Sequence, residues 1–174
     1  MTTKKSMWVL FGILVISAWV LGSAIQARAE TMNYRSYSYV LKAEDVPVGD
    51  VEGHTVGIVM RNAFYVFESG EVATTNSVAT RDLVNGVGST VQYTTINFTD
   101  GSTIIIRSQG RGSGTATAAQ TSGELTSEIL KGTGRFEGIK GTQAAKIRYL
   151  PVEKGEGAPK GIGEGIITYT LPTK

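Results

Sequence analysis

The stretch Lys131–Thr142, KGTGRFEGIKGT, sets Gly132, Gly134, Gly138 and Gly141 around one aromatic residue, Phe136, between two strand-like segments. Glycine at that density means a backbone that turns sharply or packs closely, with one ring to pin it. A phosphate cradle is the competing meaning of such a run. The spacing is not G-x-G-x-x-G, however, and no helical segment follows whose N-terminus would hold a phosphate. The stretch therefore reads as a structural turn. Gly110–Thr115 lacks the lysine and the spacing of a phosphate loop, and reads as a linker.

The remainder of the chain shows no sustained helical periodicity. Thr31–Lys42 is rich in tyrosine and reads as a strand, followed by an acidic loop over Ala43–Gly53. His54–Met60 and Asn62–Glu68 read as two strands, or as one interrupted by an irregularity. Ser69-Gly70 and Asn85-Gly86 are turn signals on either side of the strand Glu71–Asp82. Strands are expected again near Leu125–Leu130, Gln143–Leu150 and Ile166–Leu171, with a mobile loop over Gly155–Gly165. Short strands with evenly spaced turns predict an all-β fold. A single closed antiparallel barrel of about eight to ten strands is favoured, because closure removes exposed sheet edges.

Asp100-Gly101, between Ser89–Thr99 and Ser102–Gln109, reads as a two-residue hairpin loop. That register sets Phe98 opposite Thr103, Ile96 opposite Ile105 and Thr94 opposite Arg107. Arg107 then shares a face with Ile96 and Phe98, while Ile104 and Ile106 lie on the other face with Tyr93. Both faces are half-apolar, so both should be covered, which predicts a homo-oligomer or a covering loop.

At the N-terminus, Lys4 and Lys5 precede an apolar run from Met7 to Leu21, and Ala27-Arg28-Ala29 supplies a small-residue cleavage pattern. This is the pattern of a secretory signal peptide over residues 1–29, leaving residues 30–174 as one domain. The run is short for a membrane span, so no membrane insertion is expected after cleavage. The expected location is exported, periplasmic or extracellular, with a bacterial source as the default. Removing Lys4, Lys5 and Arg28 lowers the basic residues from 17 to 14 against 15 acidic ones. The mature chain is thus near neutral, which argues against nucleic acid as a partner. The absence of cysteine excludes disulfides and a cysteine-linked lipid anchor. An outer-membrane barrel is disfavoured too, since both tryptophans leave with the leader and the chain ends TLPTK.

The glycine-rich turn resembles a motif of the allene oxide cyclase-like barrels, which include the dirigent proteins and many secreted bacterial proteins without assigned function. In that family a similar glycine-aromatic-glycine turn joins two late strands. Glu68-Ser69-Gly70-Glu71 and Asp100-Gly101-Ser102-Thr103 resemble the uncharacterised bacterial members. The resemblance implies the barrel fold. Its cyclases work without cofactor, and its dirigent members steer radical coupling of bound phenols. No functional residue of either group matches a position here, so none is carried over.

The residues themselves point to few chemistries. His54 is the only histidine, too few for a multi-histidine metal site, and no G-x-S-x-G elbow accompanies a serine for a hydrolytic triad. Asp45, Asp50 and Glu52 lack calcium-loop spacing and read as a solvated loop. No catalytic residue, metal ligand or cofactor is assigned. Glu68, Tyr93 and Arg107 are the candidates for contact with a ligand inside the barrel: Tyr93 lies across the register from Ser108, and Glu68 and Arg107 could pair in a cavity or face solvent. Three functions stay open: binding of a small apolar or amphipathic molecule, a structural role with a side-chain-filled lumen, and a cofactor-free cyclase or dirigent-like coupling guide.

Overall fold

The computed structural model describes residues 29–113, 122–151 and 160–173. The expected leader, including Ala27, lies outside the described residues, and Ala29 stands at their edge. Eight antiparallel strands run β1 (Glu30–Pro47), β2 (His54–Phe67), β3 (Val72–Val84), β4 (Val87–Phe98), β5 (Thr103–Ser113), β6 (Ser122–Thr133), β7 (Lys140–Tyr149) and β8 (Lys160–Thr170). They pair in sequence order, and β8 returns to β1 to close the barrel. A single 3-10 turn, Gly134–Phe136, joins β6 to β7.

The strands are longer than the sequence leads one to expect. Ala43–Pro47, read as loop because of its acids, continues β1 and pairs with Thr55–Val59 of β2. Asp45 can remain in a strand because Arg81 of β3 forks onto its carboxylate. Gly110–Ser113 extends β5, and Lys160–Gly165 belongs to β8, although both read as loops. β2 is unbroken at Arg61; the irregularity lies across from it, between Val40 and Lys42 of β1.

The β4–β5 hairpin differs from the expected register by one residue. Tyr93 pairs with Arg107, Thr94 with Ile106, and Ile96 with Ile104. The cause is the loop. A two-residue type I′ turn needs both central residues at positive φ, as Asn85 (φ 52) and Gly86 (φ 79) provide between β3 and β4. In Thr99-Asp100-Gly101 only Gly101 (φ 83) goes left-handed. Asp100 Oδ1 instead accepts from the Ser102 N–H at 2.9 Å, and Phe98 N–H donates to Ser102 O at 2.9 Å. The loop thus holds three residues. A one-residue slip exchanges the faces of a strand, so Ile104 and Ile106 point inward, 0% and 1% exposed, and Arg107 points outward.

The interior is divided along the barrel axis. At the end where β6 meets β7, Tyr34, Phe67, Ile96, Phe98, Phe136 and Tyr169 belong to one buried cluster. Each fully buried side chain of this kind contributes roughly 1.5–3 kcal/mol. Toward the middle of the barrel the inward positions become small or polar: Ser36, Ser77, Thr94, Ser108 and Ser127 are buried there, with Val59 and Leu83 buried nearer the end where β1 finishes and β2 begins. β8 presents glycine at three successive inward positions, Gly161, Gly163 and Gly165.

Candidate functional site

The glycine-rich stretch forms the cap of the apolar end. Phe136 is 3% exposed and lies 4.7 Å from Phe98 and 6.1 Å from Tyr169, ring centre to ring centre. Gly138 has φ 75, a region that penalises any side chain. Arg135 ties the cap to two neighbouring turns. Its guanidinium donates to Glu71 at 2.6 Å and to Asp100 at 3.0 Å while lying 4.7 Å from the centres of both Phe98 and Phe136. Its backbone N–H donates to Ser102 Oγ at 3.1 Å. These contacts raise the Arg135 pKa, chiefly through the Glu71 bonds, so the charge is fixed at any physiological pH. The arrangement is a structural clasp that engages both terminal nitrogens of the guanidinium.

Below the cap, toward the middle of the barrel, the lumen has a different character. Gln143, 3% exposed, donates from Nε2 to the hydroxyl of Tyr34 and, at 3.4 Å, to that of Tyr65. The two tyrosine rings stack at 4.1 Å. Burial, reinforced by the neighbouring Tyr65, pushes the Tyr34 pKa far above the ordinary phenol range; burial of its hydroxyl raises Tyr65 as well. Both remain neutral phenols at pH 7. Beside them, Ser108 and Ser127 share a buried hydrogen bond at 2.7 Å. These groups form a floor whose polar atoms satisfy one another.

Arg61 does not fit that pattern. The alternation of β2 carries Val59, Arg61, Ala63, Tyr65 and Phe67 inward, so a guanidinium enters the lumen. In register it stands between Val40 of β1 and Ser77 of β3. Its Nε is buried and has no hydrogen-bond acceptor, and it has no ion-pair partner among the described residues. Its one close neighbour of note is the Tyr149 ring, 5.9 Å from Cζ to ring centre. A buried donor without an acceptor costs about 1–3 kcal/mol, so its presence calls for a reason. Arg81, the other inward arginine on this side, is already paired with Asp45.

The residues singled out in the sequence lie elsewhere. Arg107 is on the outer wall, 3.3 Å from Glu128, with Tyr93 as its cross-strand neighbour; the expected Tyr93–Ser108 apposition is replaced by Gln92–Ser108. Glu68 is on the surface, accepting from Asn33 at 2.9 Å, and does not meet Arg107. Glu68 borders a groove of about 730 Å³ on the outside of the barrel, and a second outer groove of about 490 Å³ runs beside Val56, Ile58 and Thr80. His54 bridges Asp50 (2.5 Å) and Asp82 (2.9 Å) at the rim, which raises its pKa, mainly through the Asp50 bond, and lowers that of Asp50. Among the described residues no three histidine or acidic side chains converge as a metal site. Sequence reasoning missed Arg61, Gln143 and Tyr34. Arg61 was legible in principle, since one uninterrupted β2 puts it in phase with Val59 and Phe67.

No protein-family model matches the sequence, and no curated protein does. Solved structures do. The pterocarpan synthase dirigent protein GePTS1 superposes on 88% of this chain and 96% of its own, with a TM-score of 0.50 at 15% identity. The chain folds as a dirigent-like barrel. A second pterocarpan synthase dirigent protein, PsPTS1, matches with a TM-score of 0.49 at 16% identity, covering 86% of this chain and 100% of its own. A pyocyanin demethylase follows at 0.39 and 15%, covering 79% and 99%. At such identities the likeness is one of fold alone. What this dirigent-like barrel does must be argued from its own lumen.

Proposed function

We propose that residues 30–174 are the mature form of an exported barrel that binds a small amphipathic molecule in the distal half of its lumen. The observation that carries this reading is Arg61: a charged side chain inside a barrel, with a buried donor that has no acceptor among the described residues. Small barrels commonly hold one ligand in such a place. Export rests on the leader pattern over residues 1–29. Native mass spectrometry of the protein purified from its host tests the reading directly. A bound organic mass that disappears on denaturation is expected; apo-protein alone, across preparations, would sink it.

A structural role is the second reading, supported by the solidly packed capped half of the lumen. A coupling guide or cyclase is the third. It has the Gln143 amide and two tyrosines in its favour, yet these polar atoms are turned on one another. Association with further copies of the chain belongs to all three, and its support lies on the outer face of β1 and β2. There Tyr37 and Ile58 are each 50% exposed.

A further inference from the structure

We infer that the distal lumen is selective for small carboxylates with a flat apolar body, the carboxylate meeting Arg61 and the body lying against Tyr149. The inference rests on the ligand-binding reading above and adds the chemical class.

Three observations converge. First, the buried Arg61 Nε lacks an acceptor among the described residues, and a guanidinium's fork matches a carboxylate better than any neutral group. Second, Arg81, the other inward guanidinium, is held by Asp45, whereas Arg61 has no carboxylate partner among the described residues. An anionic group beside Arg61 would pair it, while a cationic one would add to the repulsion. Third, the guanidinium has a flat neighbour. The Tyr149 ring centre lies 5.9 Å from its Cζ, and a planar body can lie against such a ring.

The probes are 2-naphthoate and its uncharged counterpart 2-naphthylmethanol, titrated calorimetrically into the purified wild type and Arg61→Met. Naphthoate is expected to bind the wild type more tightly than the alcohol does. Arg61→Met should weaken naphthoate roughly ten- to hundredfold, the range of a lost charge-assisted hydrogen bond, and leave the alcohol nearly unchanged. Because the substitution removes an unpartnered buried donor, the melting temperature of Arg61→Met should equal or exceed that of the wild type. Loss of both ligands together with a lowered melting temperature would make Arg61 a structural residue and overturn the assignment. Equal binding of carboxylate and alcohol, unaffected by Arg61→Met, would also overturn it while leaving the ligand-binding reading intact. Failure of both probes in the wild type, with apo-protein alone from the host, would remove both.

Discussion

His54 shows how a single side chain at the barrel rim can make folding depend on pH. With Asp50 on one ring nitrogen and Asp82 on the other, its folded pKa lies above the ordinary 6.5. The stabilisation is therefore complete below about pH 6.5 and is lost as pH rises through the raised folded value. Asp50 behaves in the opposite sense: its pKa is lowered from 3.8, so its share is lost only as pH falls through that lowered value. Following the His54 ring protons by NMR should give a pKa above 6.5. Asp50→Asn should bring it down further than Asp82→Asn. A His54 that titrates at 6.5 in all three proteins would show that the bridge does not form in solution. Nothing in the spacing of Asp50, His54 and Asp82 announced this bridge, because it depends on the β2–β3 register, which sets His54 against Val84.

At the scale of elements, the β4–β5 hairpin and the cap each make a separable prediction. On β5, Ile106→Lys places a charge where exposure is 1% and should prevent folding, whereas Ile105→Lys faces outward and should cost less than about 1 kcal/mol. Denaturant melts of the two proteins decide between the three-residue loop and the two-residue alternative, which reverses the order. Phe136→Ala removes a fully buried ring and should destabilise by roughly 3–5 kcal/mol. Binding of naphthoate at saturating ligand should persist in whatever fraction remains folded, since Phe136 is at the other end of the lumen. The strands themselves were legible from turn signals, most plainly Asn85-Gly86. Their lengths and one register were not. Asp100-Gly101 looked like a two-residue loop because the sequence does not show that Asp100 is claimed by Ser102 and Arg135. The same slip made Arg107 look internal, while Arg61 was hidden by dividing β2 at the residue that matters.

For the whole molecule, the corrected register moves the argument for self-association. The outer face of the β4–β5 hairpin carries Thr95, Asn97, Thr103 and Arg107 beside Tyr93 and Ile105, and is more polar than the sequence implied. The exposed apolar surface lies instead across β1 and β2, where Tyr37 pairs with Phe64, which is 47% exposed. Light scattering at micromolar concentration should give a mass above that of one chain, and Phe64→Lys should shift it toward monomer without lowering the melting temperature. A wild type that is monomeric throughout would leave that face as ordinary surface. N-terminal sequencing of protein from the host should begin at Glu30.

The clasp made by Arg135 bears on how such chains diverge. Glu71, Asp100 and Arg135 come from three separate turns, 64 and 35 residues apart from Arg135, yet they satisfy one another at a single point. Loss of Arg135 takes the cation from both carboxylates at once, whereas loss of either carboxylate leaves Arg135 paired with the other, so Arg135 is expected to be the least replaceable of the three. The clasp therefore fastens the capped end of the barrel from three directions at once, and it lies well away from Arg61, so side chains around Arg61 can change without disturbing it.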